Sequence, residues 1–334
     1  MSDVRTQQAR RRGAGPSEAA ASPAGVRLDF VLLLVAVSGI ALSAPLIASV
    51  TAAPALAIAF WRNAMAVGAL TPLVLLRHRA ELRAVGRRAG LLAVASGALL
   101  AVHFGVWLPS LSMTSVASST ALVTTTPIWT AVLMRLGGRR RPALVWAGTG
   151  LAFLGVVLLT GVDLSGSPRA LAGDALALTG GMAAAGYVLL GAEVRRTVGT
   201  VPYTYICYTT TTVLLLAACL VSGASLAGYD GGTWGKLVLL TVTAQLLGHS
   251  LINRVVKGLG PSVTSTAILL ETPGAALIAA LWLGQTPPVA AYPALAVIVG
   301  GLALVILADR REAGTAGTAG TAGTKEPATA SRSA

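Results

Sequence analysis

STALVTTTP (residues 119–127) returns 146 positions later as STAILLETP (265–273), with five of the nine residues unchanged. The same offset, carried without a gap, pairs His103 with His249, Gly138 with Gly284, Pro142 with Pro288 and Gly155 with Gly301. A self-match of this kind marks a chain built from two copies of one structural unit. The surroundings of both copies are apolar. Of the 334 residues, 54% are hydrophobic and 11% charged, against about 25% charged in ordinary soluble chains, and mean hydropathy is +0.75. Too little polar surface remains to solvate a soluble globule, which argues against a soluble enzyme and for an integral membrane protein. The excess of 25 Lys plus Arg over 12 Asp plus Glu is then a matter of topology, and no nucleic-acid partner is expected.

A helix crossing a hydrocarbon core of about 30 Å needs about 20 apolar residues. The sequence predicts ten such spans, at 29–50, 55–76, 89–111, 115–136, 142–161, 171–192, 203–222, 234–253, 261–283 and 290–308. They are helical because backbone polar groups facing lipid find partners only in helices or closed barrels, and barrel strands would alternate polar with apolar residues. Residues 1–28, basic and rich in Ala and Pro, and 309–334, with the run GTAGTAGTAGT, lack the apolar content to order themselves and are expected to be disordered tails. Cys207 and Cys219 lie twelve residues apart in one apolar segment, about 18 Å along a helix, and cannot pair with each other.

Lys and Arg stay preferentially on the cytoplasmic side. Of the 25, 22 fall in the two tails and the second, fourth, sixth and eighth connections; only Arg169 and Lys236 fall on the opposite side, and Arg62 lies within a span. Both termini are therefore expected to be cytoplasmic, in a multi-pass protein of the plasma membrane. Spans three to five repeat as eight to ten, so the first two should correspond to the sixth and seventh. A unit of five helices crosses an odd number of times, which turns its second copy upside down. The expected fold is thus an all-α membrane protein of ten transmembrane helices, arranged as two inverted five-helix repeats at 29–161 and 171–308. Inverted repeats place a substrate path at their interface in secondary transporters.

With this layout, FWRNAMA (60–66), the STALVTTTP and STAILLETP pair, and GDALAL (173–178) followed by Tyr187, Arg195 and Arg196, the chain resembles the EamA-type ten-helix members of the drug/metabolite transporter superfamily. The resemblance covers roughly residues 29–308. It implies a substrate-translocating carrier whose central cavity is lined mainly by the first four helices of each half, with the fifth and tenth peripheral. Two departures stand out. LETPG (270–274) stands where the family often reads LEPV, and the seventh span carries no arginine corresponding to Arg62.

A charge deep in a bilayer is expensive unless paired or wetted, and marks function by default. Glu271 falls about 15 Å into the ninth span, near the midplane. It reads either as a protonation site or partner of a substrate amine, or as a neutral acid bonded to a neighbouring helix. Arg62, about 10 Å inside its span, reads as a structural anchor, or as a contact for an anionic substrate group or for Glu271. Thr241, Gln245, His249, Asn253 and Lys257 recur at every fourth position and share one slowly drifting face, which either lines a watery path or bonds adjacent helices. His103 shares a shorter face with Ser96, Trp107 and Ser110; it is a packing group or, with its counterpart His249, a proton carrier.

Thr125 and Thr126 precede Pro127, and Glu271 and Thr272 precede Pro273. Each proline removes a backbone donor, so a kink or hinge is expected at both. Tyr205, Tyr208 and Thr212 share a face that either touches substrate or anchors the helix at an interface. The glycines Gly148, Gly155, Gly300 and Gly301 read as packing positions. There is no metal-ligand spacing, nucleotide-binding loop or nucleophile elbow, so no cofactor, metal or catalytic residue is assigned. The expected activity is secondary transport of a small polar or amphipathic metabolite, amino-acid-like or drug-like, by alternating access, with Glu271 and His249 as candidate proton-coupling groups; the resemblance implies that the direction is export. The expected partners are the bilayer, the solute and protons; no oligomeric state is fixed. A rival reading is an integral-membrane enzyme or scaffold with a polar helix-bundle core.

Overall fold

A backbone in hydrocarbon must bond to itself, and the chain does so by winding almost entirely into helices. The computed structural model describes residues 23–114, 116–139, 141–160, 167–274, 278 and 291–322, among which there is no strand. Helix α1 (Pro23–Ala41) is followed by the short α2 (Ser43–Ser49); α3 (Ala55–Leu73) runs through a wide π turn (Val74–His78) into α4 (Arg79–Arg83); α5 spans Arg87–Ser110. The expected fourth span is two helices, α6 (Val116–Val123) and α7 (Thr126–Leu136), followed by α8 (Ala143–Thr160). The second half contains α9 (Pro168–Val194), α10 (Thr200–Ser222), α11 (Gly231–Leu240), a π-helical segment (Thr241–His249), α12 (Ser250–Ala267), a 3-10 turn (Ile268–Leu270) and α13 (Ala291–Ala322).

Six of the helical stretches are long and apolar enough to cross a membrane: Gly25–Ser49, Ala55–Arg83, Arg87–Ser110, Pro168–Val194, Thr200–Ser222 and Gly231–Gly274. Ala143–Gly155 and Ala296–Ala308 are shorter apolar helices. Gly231–Gly274 has 44 residues, which at about 1.5 Å each is about twice a bilayer core. It is divided at Gly260, whose φ of 75° is left-handed; glycine adopts that conformation without steric cost and here turns the chain ahead of Pro261. The expected eighth and ninth spans thus meet at Gly260. The tail containing Met1 to Ser22 and the segment with Gly284 and Pro288 lie outside the described residues. The final helix continues past residue 308 to Ala322, because adding residues to an existing helix needs no new nucleus; Glu312 in this extension pairs with Arg141 at 2.8 Å.

Large apolar side chains such as Leu76, Leu220 and Val221 point outward, the surface a lipid-facing helix presents. The main buried cluster lies inside, with Leu46, Ile58, Leu100, Phe104, Leu215 and Leu240. The packing follows a pattern. The first span (α1) packs on the π segment and α12, and α9 packs on α5, α6 and α7; α3 packs on α10, α7 on α12, and α8 on α13. Moving every span forward by five carries each of these pairings onto another or onto itself. Between α8 and α13 the backbones approach so closely that a Cβ at Gly301 would sit 2.4 Å from the Ala152 nitrogen and 2.5 Å from the Gly148 oxygen. These glycines are the small-residue contacts that let helices pack in a membrane.

Candidate functional site

Three departures from regular α-helix converge on one place. The first is the break between α6 and α7. Thr124 Oγ1 donates to the carbonyls of Thr120 and Ala121 at 2.9 and 3.0 Å, Thr125 to Leu122 at 2.6 Å, and Thr126 to Val123 at 3.0 Å. Pro127 therefore sits in the first turn of a new helix, where its missing N–H costs nothing, and does not kink a continuous one. The second is the π segment, in which the Ser250 N–H reaches back to the Gln245 carbonyl. The third is the 3-10 turn at Ile268–Leu270, immediately before Glu271. Mid-helix 3-10 and π turns concentrate at functional positions.

A cavity of about 40 Å³ of water-accessible volume lies between these breaks, room for about three waters. Ser43, His103, Thr124, Thr126, His249 and Glu271 bring polar groups to it, Trp107 and Tyr187 aromatic rings, and the rest of its lining is aliphatic, from Ile40 on α1 to Ile252 on α12. The contributing elements are α2, α5, the α6–α7 break, α9, the π segment and the residues after the 3-10 turn. The two histidine rings are 6.3 Å apart, His103 stacks on Trp107 at 5.6 Å, and Tyr187 stands 6.1 Å from His249. His103 Nδ1 is 3.0 Å from the Gly180 carbonyl. Four buried atoms on this wall or next to it have no partner: His249 Nδ1, Trp107 Nε1, Glu271 Oε1 and Thr272 Oγ1. Buried polar groups left open in this way mark a site that accepts water or a ligand.

Arg62 is fully buried beside this cavity. Its Nε donates to Gln245 Oε1 at 2.9 Å and its Nη1 to Ser43 Oγ at 3.4 Å, while its carbon Cζ lies 4.2 Å over the Phe104 ring. Gln245 Nε2 donates in turn to Asn63 Oδ1 at 3.0 Å. Tyr208 lies 146 positions after Arg62 and joins the same residue, its hydroxyl donating to the Gln245 carbonyl at 3.1 Å. The seventh span thus places a phenol where the second has its guanidinium, and both converge on the π segment.

A second network ties Tyr187, on the cavity wall, to α12 and α10. The Tyr187 hydroxyl donates to Asn253 Oδ1 at 2.5 Å, Asn253 Nδ2 to Thr204 Oγ1 at 3.3 Å, and Arg195 Nε to the Asn253 carbonyl at 3.0 Å. Arg195 Nη1 also donates to the Val198 carbonyl.

Of the residues singled out in the sequence, His103, Trp107, Thr126, His249 and Glu271 border the cavity directly. Arg62, Tyr208, Gln245 and Asn253 form the networks around it. Thr272 is buried beside Glu271. Thr125 accepts from Trp129 Nε1 at 3.1 Å and is not on the wall; Tyr205 faces Thr71 at 3.2 Å, between α10 and the end of α3. Of the every-fourth stripe, Thr241, Gln245 and Asn253 are buried and Lys257 is exposed. Ser43, Asn63, Phe104 and Thr204 were not singled out. Asn63 was signalled by its position next to Arg62, and Ser43 by standing in an apolar run; Phe104 and Thr204 carry no such signal.

A multi-pass helical membrane protein with a small cavity, lined by residues of both halves, has the architecture of a membrane transporter. The sequence matches the EamA-like transporter family over residues 28–161 and again over 171–307. The chain belongs to this family, within the drug/metabolite transporter superfamily. A solved crystal structure of another protein superposes with a TM-score of 0.68 at 19% identity, covering 86% of this chain and 99% of that one; at this identity the likeness is one of fold. No curated protein matches the sequence.

Proposed function

We propose that this protein is a secondary transporter which moves a small polar or amphipathic metabolite across the plasma membrane by alternating access between two inverted five-helix repeats. The observation that carries the proposal is the cavity of about 40 Å³ bounded by open buried polar atoms at Glu271, His249 and Trp107. A metabolite does not fit this volume, so transport requires a wider conformation, and the interrupted helices around the cavity are where the chain can bend. The pairing of spans under a shift of five supports the two-fold arrangement. The distribution of Lys and Arg supports cytoplasmic termini. Glu271 and His249 are the proposed proton-coupling groups, and the proposed direction is export.

Reconstitution into proteoliposomes tests this reading. Labelled metabolites of varied charge should cross with saturable kinetics, and Glu271→Gln should flatten the pH dependence of the flux. A folded, correctly inserted protein that moves nothing across a broad panel would sink the carrier reading. Unaltered pH dependence in Glu271→Gln would remove Glu271 from the coupling step.

A further inference from the structure

This inference rests on the carrier reading and names its solute class. The buried site contains a cation that contact does not neutralise. No carboxylate lies within ion-pairing distance of Arg62 among the described residues, and its Nη2 has no partner at all. The Nη1 contact to Ser43, at 3.4 Å, is long and goes to a neutral hydroxyl. Ser43 is both a wall of the cavity and the first residue of α2, at the break after α1 ends at Ala41. The guanidinium is thus one side chain away from the cavity, at a place where the helix forming the wall is interrupted.

Two N–H groups in a plane match the two oxygens of a carboxylate, and a charged acceptor outcompetes a hydroxyl. The titratable groups that face the site are His103 on α5, Tyr187 on α9, Tyr208 on α10, His249 on the π segment, and Glu271 with Arg62 itself. Glu271 is the acid among them. Its charge and that of Arg62 act on each other without direct contact.

We propose that the solute is a monocarboxylate, held at the Ser43 edge by Arg62 Nη1 and Nη2, and that it crosses together with one proton carried on Glu271. The charges decide the stoichiometry. The empty site is neutral when Glu271 is ionised opposite Arg62. The loaded site is neutral when the solute carboxylate takes over as counter-ion and Glu271 binds a proton from the adjoining water. A loaded site without the proton has a net charge of −1, and an empty site with it +1; either is costly to carry through hydrocarbon. Solute and proton therefore bind together and leave together, and the cycle moves no net charge. Outward flux runs down the gradient of the solute and takes protons with it.

The test uses the full chain in proteoliposomes with three labelled probes sharing one ring: para-hydroxyphenylacetate, para-hydroxyphenylacetamide and tyramine, with pyruvate as a second carboxylate and protein-free vesicles as the blank. A trapped pH dye and a clamped membrane potential accompany the flux. Saturable carboxylate flux should acidify the receiving side and ignore the potential, and Arg62→Gln should lower it about tenfold or more. Glu271→Gln should retain carboxylate exchange and lose net flux by a similar factor, since its empty form is left with a bare Arg62 charge. Ser43→Ala, which removes the competing hydroxyl without altering charge, should lower KM for the carboxylate and covers the case in which Arg62→Gln does not fold. If the amide or amine moves and the carboxylates do not, or if carboxylate flux charges the vesicle, the assignment is overturned while the carrier stands. If no probe of any charge moves, the carrier reading falls with it.

Discussion

Arg62 Nε donates to Gln245 Oε1 across 2.9 Å, joining the second span of one repeat to the π segment of the other. The two residues are 183 positions apart. The same side-chain amide donates to Asn63 Oδ1, so one amide bonds two residues of the other half, while Tyr208 of its own half meets its backbone carbonyl.

Replacing that amide by an apolar group of similar size leaves a buried guanidinium short of its best neutral acceptor. Gln245→Leu should lower the unfolding free energy by about 2 kcal/mol, the range for hydrogen bonds to charged groups. Denaturant titration in detergent measures it. A change under about 0.5 kcal/mol, the scatter of inconsequential surface substitutions, would mean that Ser43 and Phe104 hold Arg62 without help.

Tyr187 stands on the cavity wall and bonds to Asn253. Tyr187→Phe keeps the ring on the cavity wall and removes the hydroxyl, and if this bond closes the Asn253 side to water, that side should open more often. In a background carrying Ser43→Cys with Cys207 and Cys219 replaced, a membrane-impermeant thiol reagent should then label from the Asn253 side about tenfold faster, the effect of losing about 1.4 kcal/mol of closure. Equal labelling with and without the hydroxyl would show that any closure there is held by packing.

The α8–α13 contact leaves no room for a Cβ at Gly301, with the Ala152 nitrogen and Gly148 oxygen at 2.4 and 2.5 Å from its position. Both obstacles are backbone, so the helices must separate. Gly301→Ala should cost about 1–3 kcal/mol of stability. Neither helix contributes to the described cavity wall, so KM for any transported solute should stay at the wild-type value in the protein that folds. A raised KM would place this helix pair in the transport path.

Asp230 caps α11, its carboxylate accepting from the Thr233 N–H at 3.0 Å and the Thr233 hydroxyl at 2.8 Å. These bonds hold its carboxyl below its ordinary value of 3.8. A group depressed in the folded state stabilises at pH above its unfolded value and loses that contribution as pH falls through the folded one. Corrected for the intrinsic pH dependence of exchange, the protection of the Thr233 amide should therefore be high near neutral pH and fall only below about pH 3.8; Asp230→Ala should remove it near neutral pH. Exchange unaffected by the substitution would show that the cap does not hold the helix start.

The kink expected at Pro127 and the face expected for the eighth span show where reading the sequence stops. The missing donor of Pro127 predicts a kink, and the chain is instead interrupted just before it, at Thr124–Thr125. But whether the proline bends one helix or begins another depends on which carbonyls the hydroxyls take, a matter of local geometry. The every-fourth stripe drifts by about 40° per step in a regular α-helix. The wider π turns across Thr241–His249 offset that drift, and Thr241, Gln245 and Asn253 are all buried.

Hydropathy, charge placement and the 146-residue self-match are sums along the chain, needing no knowledge of what lies across space. The sequence alone therefore determined that this is a helical membrane protein made of two related halves, and that Glu271 and Arg62 are charges within its spans; that Arg62 is fully buried came only from the structure. Helical periodicity sets which face of a helix is polar, but not which other helix that face meets. The meeting of Arg62 with Ser43 and Phe104, the Tyr187–Asn253 bond and the convergence on Gln245 were decided by tertiary packing alone, because each joins groups on different helices whose partnership exists only once the helices have docked.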